Sequence, residues 1–316
     1  MALKAATLVA LGAVLIASPA GAARYTASKL VLENVTGAVE IVTTSGDEVD
    51  VQIRQGKTYH QVAVVEDEGV VTLTGEKWKE EETRDCCNDR IRRTFDARKD
   101  RKMSTGAPVD EDFFSDYPTI VISMPRKGDV TFVDARMKLK METIEGALNL
   151  DACYVYGEAG DAGEAVVGII AGSRLVMGDV GSGLEIDVSG DADLLTGDAS
   201  SVDIDIAGPG DVVIGKVDGM LDVSIAGSGT VRGESLDGPM ITRIAGSGAV
   251  SVKSGRADKL KAIIDGSGGV EFGGTAVQPE LKLFGSAEVR MGAVSGRITR
   301  AGGGDVYVAD KLVPKE

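Results

Sequence analysis

Aromatic residues make up only 4% of the 316-residue chain, with one Trp, six Tyr and six Phe. Enzymes of this length usually pack their cores with more rings, so a core of that kind is not expected. Histidine occurs once, at His60, and cysteine three times, at Cys86, Cys87 and Cys153. These are too few ligands for a zinc site, and the spacing does not bring His60 to a cysteine for nucleophilic chemistry. No G-x-S-x-G elbow leads into a helix pattern, since Gly227-Ser228-Gly229 runs straight into a valine-led strand pattern. Beyond Ala22 no apolar run is long enough to span a bilayer as a helix. Basic residues are outnumbered, 34 against 49 acidic, for a formal charge of −15. Such a surface repels nucleic acid and anionic membrane, so neither is expected as a partner.

The N-terminus carries one charge, Lys4, before an apolar run from Leu8 to Ala17 and the small residues Ser18-Pro19-Ala20-Gly21-Ala22. That pattern predicts a signal peptide over residues 1–22 cleaved after Ala22, and hence an exported protein. Removing it takes away only Lys4, so the charge moves from −15 to −16. In an oxidising compartment a disulfide from Cys86 or Cys87 to Cys153 would pin a loop to the body, while an adjacent Cys86–Cys87 bridge would be strained. The candidate bridge is Cys87–Cys153, with Cys86 the alternative partner and one thiol left over.

What the chain has in abundance is glycine, 42 residues, in a repeat. Gly172, Gly190, Gly208, Gly227, Gly246, Gly266, Gly285 and Gly302 follow one another at intervals of 17 to 20 residues. Before each glycine, apolar and polar residues alternate, as in Ile204-Asp205-Ile206 and Val223-Ser224-Ile225, the period of a half-buried strand. Four residues after the markers come Val212, Val231, Val250, Val270, Val289 and Val306, each opening a second strand. A unit of about 19 residues cannot bury its apolar face alone, but stacked copies can. The reading is an all-β, right-handed parallel β-helix (a solenoid) with about 19-residue coils and a charged loop excursion. Roughly ten coils from Thr119 onward would make a rod about 50 Å long. The expected division is signal peptide 1–22, N-terminal β coils or cap 23–75, charged insertion 76–118 (partly disordered or helical), solenoid 119–310 and tail 311–316.

The glycine doublets resemble phosphate-cradling loops, yet each runs into a strand rather than a helix N-terminus, so nucleotide binding is not expected. A calcium β-roll is disfavoured because the period is not nine and Asp does not recur at a fixed slot. Five and three residues before the markers, Glu185, Asp187, Asp203, Asp205 and Asp222 should share one outward face, with like charges a strand spacing apart. They are candidate interaction residues, as a weak cation site, a glycan-cleaving carboxylate pair or a solvated face. The insertion adds a basic run that includes Arg90, Arg92 and Arg93, either a polyanion-binding element or a set of internal salt bridges. No catalytic, cofactor or metal residue is assigned.

The repeated IAGSGxV units and the Gly/Val/Asp-rich C-terminal half resemble the auto-transporter adhesin head GIN domain family. The segment from Glu33 to Ile41 is similar to secreted bacterial β-helix proteins. The resemblance covers about 120–310 well and 28–75 loosely. It implies a β-helix in the bacterial envelope without established catalytic residues. The chain stops after the last repeat, with no membrane barrel, so the expectation is a periplasmic or envelope-associated, non-enzymatic interaction module. Its partner would be an envelope protein or glycan, with self-association through coil edges as a further expectation. The alternative is a polysaccharide-binding or polysaccharide-cleaving β-helix protein using the acidic face.

Overall fold

The computed structural model describes residues 23–57, 61–76, 114, 116–170 and 172–314. The described chain is strand after strand with no helix, a parallel β-solenoid of about nine turns. Each turn has three faces. Leu221–Gly227, Met240–Gly246 and Leu260–Gly266 stack in register on the first, where Val223 pairs with Thr242 and Thr242 with Ala262. The second face stacks Val231 on Val250 and Val250 on Val270. The third pairs Val217 with Leu236 and Ala257 with Ala276. Alternation sends every second side chain inward. Leu221, Val223, Ile225, Val231 and Leu236 of one turn are all at most 2% exposed. Short branched residues suit this thin core because each must fill only the space above its copy in the next turn.

The corner between the first and second faces explains the repeat. Gly208, Gly227, Gly246 and Gly266 have φ of 127°, 135°, 130° and 133°, a region closed to other residues. A Cβ on Gly227 would also sit 2.8 Å from the Gly208 carbonyl oxygen of the preceding turn. In the N-terminal turns the same corner is made by Asn34 and Asp134, with φ of 53° and 51°. That is the left-handed helical region, which Asn and Asp tolerate. The glycine period therefore fades toward the N-terminus while the corner persists.

Stacking order departs from chain order at the N-terminal end. Lys29–Glu33 lies between Val70–Thr74 on one side and the start of Asp129–Met141 on the other. Thr36–Thr44 likewise lies between Thr119–Pro125 and the end of Asp129–Met141. Residues 29–44 thus form an inner turn, covered by an outer one that joins Val70–Thr74 to Thr119–Pro125. The chain then steps past that inner turn to resume at Asp129. Thr119–Pro125 therefore lies beyond residues 29–44 and does not precede Asp129 in the stack. Glu48–Arg54, Ala23–Thr26 and Ala63–Asp67 run antiparallel to their neighbours and close this end. Lys311–Leu312 does the same against Asp305–Val308 at the other.

A second ladder, not foreseen from the repeat, runs along another corner. The Asp179 amide donates to Asp161 Oδ1 at 2.9 Å, the Asp198 amide to Asp179 Oδ1 at 2.8 Å and the Lys216 amide to Asp198 Oδ1 at 2.7 Å. Each carboxylate satisfies a backbone donor of the next turn. Gly160-Asp161, Gly178-Asp179 and Gly197-Asp198 carry its signature at intervals of 18 and 19.

Candidate functional site

Parallel in-register pairing places equivalent residues of successive turns side by side, so the outward rows of the first face can be read directly. Glu185 pairs with Asp203 and Asp203 with Asp222; Asp187 pairs with Asp205 and Asp205 with Ser224. The five carboxylates anticipated from the repeat do lie together. The rows then change sign. Asp222 pairs with Ile241, Ile241 with Lys261 and Lys261 with Glu280; Ser224 pairs with Arg243, Arg243 with Ile263 and Ile263 with Lys282. The last turn is offset, with Glu280 opposite Thr299 rather than Arg297 and Gly302 opposite Leu283 rather than Gly285. A marker interval of 17 there shifts the register by two.

Glu185, Asp187, Asp203 and Asp205 are exposed, whereas Asp222 is half-buried under Arg243, whose Nη1 lies 2.5 Å from its Oδ1. Asp203 sits above the usual carboxylate range, first because neighbouring turns partly bury it and then because Asp222 and Asp205 repel its charge; Arg243 opposes this. Beside these rows runs a third, Ser189, Ala207, Ala226 and Ala245, whose small side chains leave a shallow open groove of about 460 Å³. Asp187 and Asp205 line it at one end, Arg243, Ile263 and Asp265 at the other. Among the described residues no group of three His, Cys, Asp or Glu is placed to hold a metal ion.

The roots of the insertion are well defined. The Gly75 amide donates to the Glu33 carbonyl at 2.9 Å and the Ala38 amide to the Pro118 carbonyl at 3.0 Å, so the segment leaves and returns at one corner. Phe114, only 7% exposed, packs against Tyr117 at 5.7 Å and Tyr154 at 6.4 Å between ring centroids. Tyr154 follows Cys153, which is buried and disulfide-bonded. Cys86, Cys87, Arg90, Arg92, Arg93 and His60 lie outside the described residues, as does the segment 1–22. Among the described residues no helix is long and apolar enough to cross a membrane.

No protein-family profile and no curated protein matches the sequence. In strand path the chain is similar to a candidate adhesin from Parabacteroides distasonis ATCC 8503, at 13% identity and a TM-score of 0.41, over 92% of this chain and 98% of that one. It is similar to a candidate adhesin from Bacteroides fragilis NCTC 9343, at 12% identity and a TM-score of 0.35, over 92% and 98%. A candidate lipid-binding protein from Parabacteroides distasonis is similar at 10% identity and a TM-score of 0.37, over 91% and 96%. What this chain's own geometry offers is an open sheet face, acidic at one end and mixed at the other, on a stiff stack.

Proposed function

We propose that this protein is a non-enzymatic, exported β-solenoid that serves as a structural or adhesin-like interaction module of the bacterial cell envelope. The carrying observation is the form of the first face. Equivalent side chains recur at every strand, about 4.8 Å apart, over an open shallow groove rather than an enclosed pocket. Such a surface suits recognition of an extended partner, an envelope protein or a glycan, better than desolvation of a reacting bond. The insertion 76–118 adds a basic run that includes Arg90, Arg92 and Arg93 as a second candidate contact.

One observation favours the glycan-active alternative. Asp203 holds its proton to higher pH than an ordinary carboxylate, beside Asp205 and Asp222, and a general acid with a nearby carboxylate is what glycoside cleavage uses. Two assays on residues 23–316 separate the readings: retention of protein-coated beads on isolated envelope, and release of reducing ends from polysaccharides. Bead retention without release supports the interaction module. Release that disappears in Asp203→Ala/Asp205→Ala/Asp222→Ala, with the fold intact by circular dichroism, would overturn it. Replacing residues 75–118 by an Asn-Val-Thr-Gly link, which joins Glu33 to Ala38 around the same corner, tests the contribution of the insertion.

A further inference from the structure

The first face is acidic overall, because Asp265 and Glu280 accompany the basic residues of its later strands. There Arg243 is held by Asp222, and Lys282 Nζ lies 3.7 Å from Glu280 Oε1. The early strands differ. Glu185, Asp187, Asp203 and Asp205 are exposed and take part in none of the ion pairs formed among the described residues. Their row leads back toward a disulfide. Asp151 pairs with Gly168, Gly168 with Asp187 and Asp187 with Asp205. Beside them Ala152, Ile169 and Val188 stand in register. Cys153 follows Ala152 as Ser189 follows Val188, and Val188 and Ser189 line the groove. Two strand spacings, about 10 Å, therefore separate Cys153 from the acidic end of the groove.

Cys153 is disulfide-bonded, and within the chain its partner is Cys86 or Cys87. The basic run begins three residues beyond Cys87. Of the thirteen residues from Arg90 to Lys102, seven are basic and two acidic. Three or four extended residues reach about 10–14 Å, which matches the distance from Cys153 to the groove. At the other end of the insertion, Phe114 packs on Tyr154, the residue after Cys153. We propose that the acidic end of the groove binds this arginine-rich run of the same chain, with Arg90, Arg92 and Arg93 against Asp187, Asp203, Asp205 and Glu185.

Charge and connection both select this occupant. Guanidinium groups donate in a planar fork that fits carboxylates without a partner. A cationic molecule from outside would meet the same carboxylates. Joined through three or four residues, however, the chain's own run faces them at an effective concentration on the order of millimolar. The competing acceptors are Glu80, Glu81 and Glu82, on the other side of the cysteines. Docking of the run leaves the mixed end of the groove, from Ser224 to Lys282, for a partner. It concerns the chain alone and holds whether or not this face binds the envelope.

The test is limited trypsin digestion of residues 23–316 with the disulfide intact, timed at Arg90, Arg92 and Arg93. A synthetic peptide of residues 88–105 in the same buffer is the reference. An arginine held by carboxylates cannot enter the protease, so these bonds should be cut at least about tenfold more slowly in the protein than in the peptide. Glu185→Gln/Asp187→Asn/Asp203→Asn/Asp205→Asn should remove most of this protection, with the fold checked by circular dichroism. The milder Asp205→Asn should speed cleavage by about twofold to threefold. Asp193→Asn/Asp211→Asn, on the second face, should leave it unchanged. Equal cleavage of protein and peptide would overturn the proposal, as would protection that the folded groove variants retain. Protection lost equally in the second-face variant would do the same. So would protection lost in Glu80→Gln/Glu81→Gln/Glu82→Gln instead, which would pair the run with its own segment. Protection that grows with protein concentration would place the run in the groove of a second copy and equally refute it. Envelope retention is measured separately, so each reading can fail without the other.

Discussion

The stack from Ala199 to Gly285 and the N-terminal turns between Lys29 and Met141 make the same corner with different residues. In the first, φ near 130° admits only glycine, at Gly208, Gly227, Gly246 and Gly266. In the second, φ near 50° is met by Asn34 and Asp134. The core differs as well. Val223, Ile225 and Val231 repeat in the first, while Phe132, Met124, Met137 and Met141 fill the second. Where every turn copies the last, glycine serves each corner and small or branched residues fill most inward positions, although Ile214, Gly233, Val252 and Phe272 stack at one of them. Where the chain crosses over itself, each position has its own shape, and flexible methionines and a phenylalanine fill it. Repetition is thus a property of the regular stack and not a requirement of the solenoid.

The sharpest way to break this contrast is to add one methyl group to each corner. Gly227→Ala combines a forbidden φ with a Cβ 2.8 Å from a stacked carbonyl, and should cost about 3–4 kcal/mol in urea unfolding. Asn34→Ala, in the milder left-handed region, should cost about 1–2 kcal/mol; equal losses would mean the corners are alike. Next, Ile225→Ala should cost about 3 kcal/mol by the same measurement, since the residue is 2% exposed with a copy above and below. Reduction of the Cys153 disulfide should lower stability by about 2–3 kcal/mol and act on the N-terminal turns first, read by hydrogen exchange. A non-reducing peptide map is expected to join Cys153 to Cys87. Asp179→Ala removes the acceptor of the Asp198 amide and should cost about 1–2 kcal/mol in the regular stack.

The smallest effect concerns Asp203. Its pKa is raised in the folded protein, so the native state binds its proton more tightly than the unfolded chain. Stability therefore falls as pH rises from the unfolded carboxylate value to the folded one, and is flat above it. The side chain is exposed, so Asp203→Asn should gain less than about 0.5 kcal/mol at neutral pH and nothing well below the carboxylate range, measured by thermal melts.

The regular turns were legible because each residue there repeats one job. Ile225 and Val231 marked the core, Gly227 the corner, and Asp203 and Asp222 one outward row. Two things hid from the period. The Asp161–Asp179–Asp198 ladder is itself periodic but sits at a second corner, where attention to the marker glycine does not reach. The crossed N-terminal order left no trace, because Leu30, Leu32, Val71 and Leu73 alternate like any half-buried strand. Alternation reports which side is buried, not which strand lies alongside. Arg243, Lys261 and Lys282 were visible too, but only the register places them beside Asp222, Glu280 and Asp265 and makes this end of the first face mixed rather than acidic.

The inner turn formed by residues 29–44 also bears on the order of folding. Its strands have no lasting neighbour until Val70–Thr74 and Thr119–Pro125 arrive on one side and Asp129–Met141 on the other. As the chain emerges N-terminus first, this segment is among the earliest made and among the last enclosed. Its contacts span up to about a hundred residues, and closing such distant pairs is slow. The regular turns beyond Asp129 need only the turn before them. Growth should therefore begin there and run toward the C-terminus, while the N-terminal end waits for its late strand.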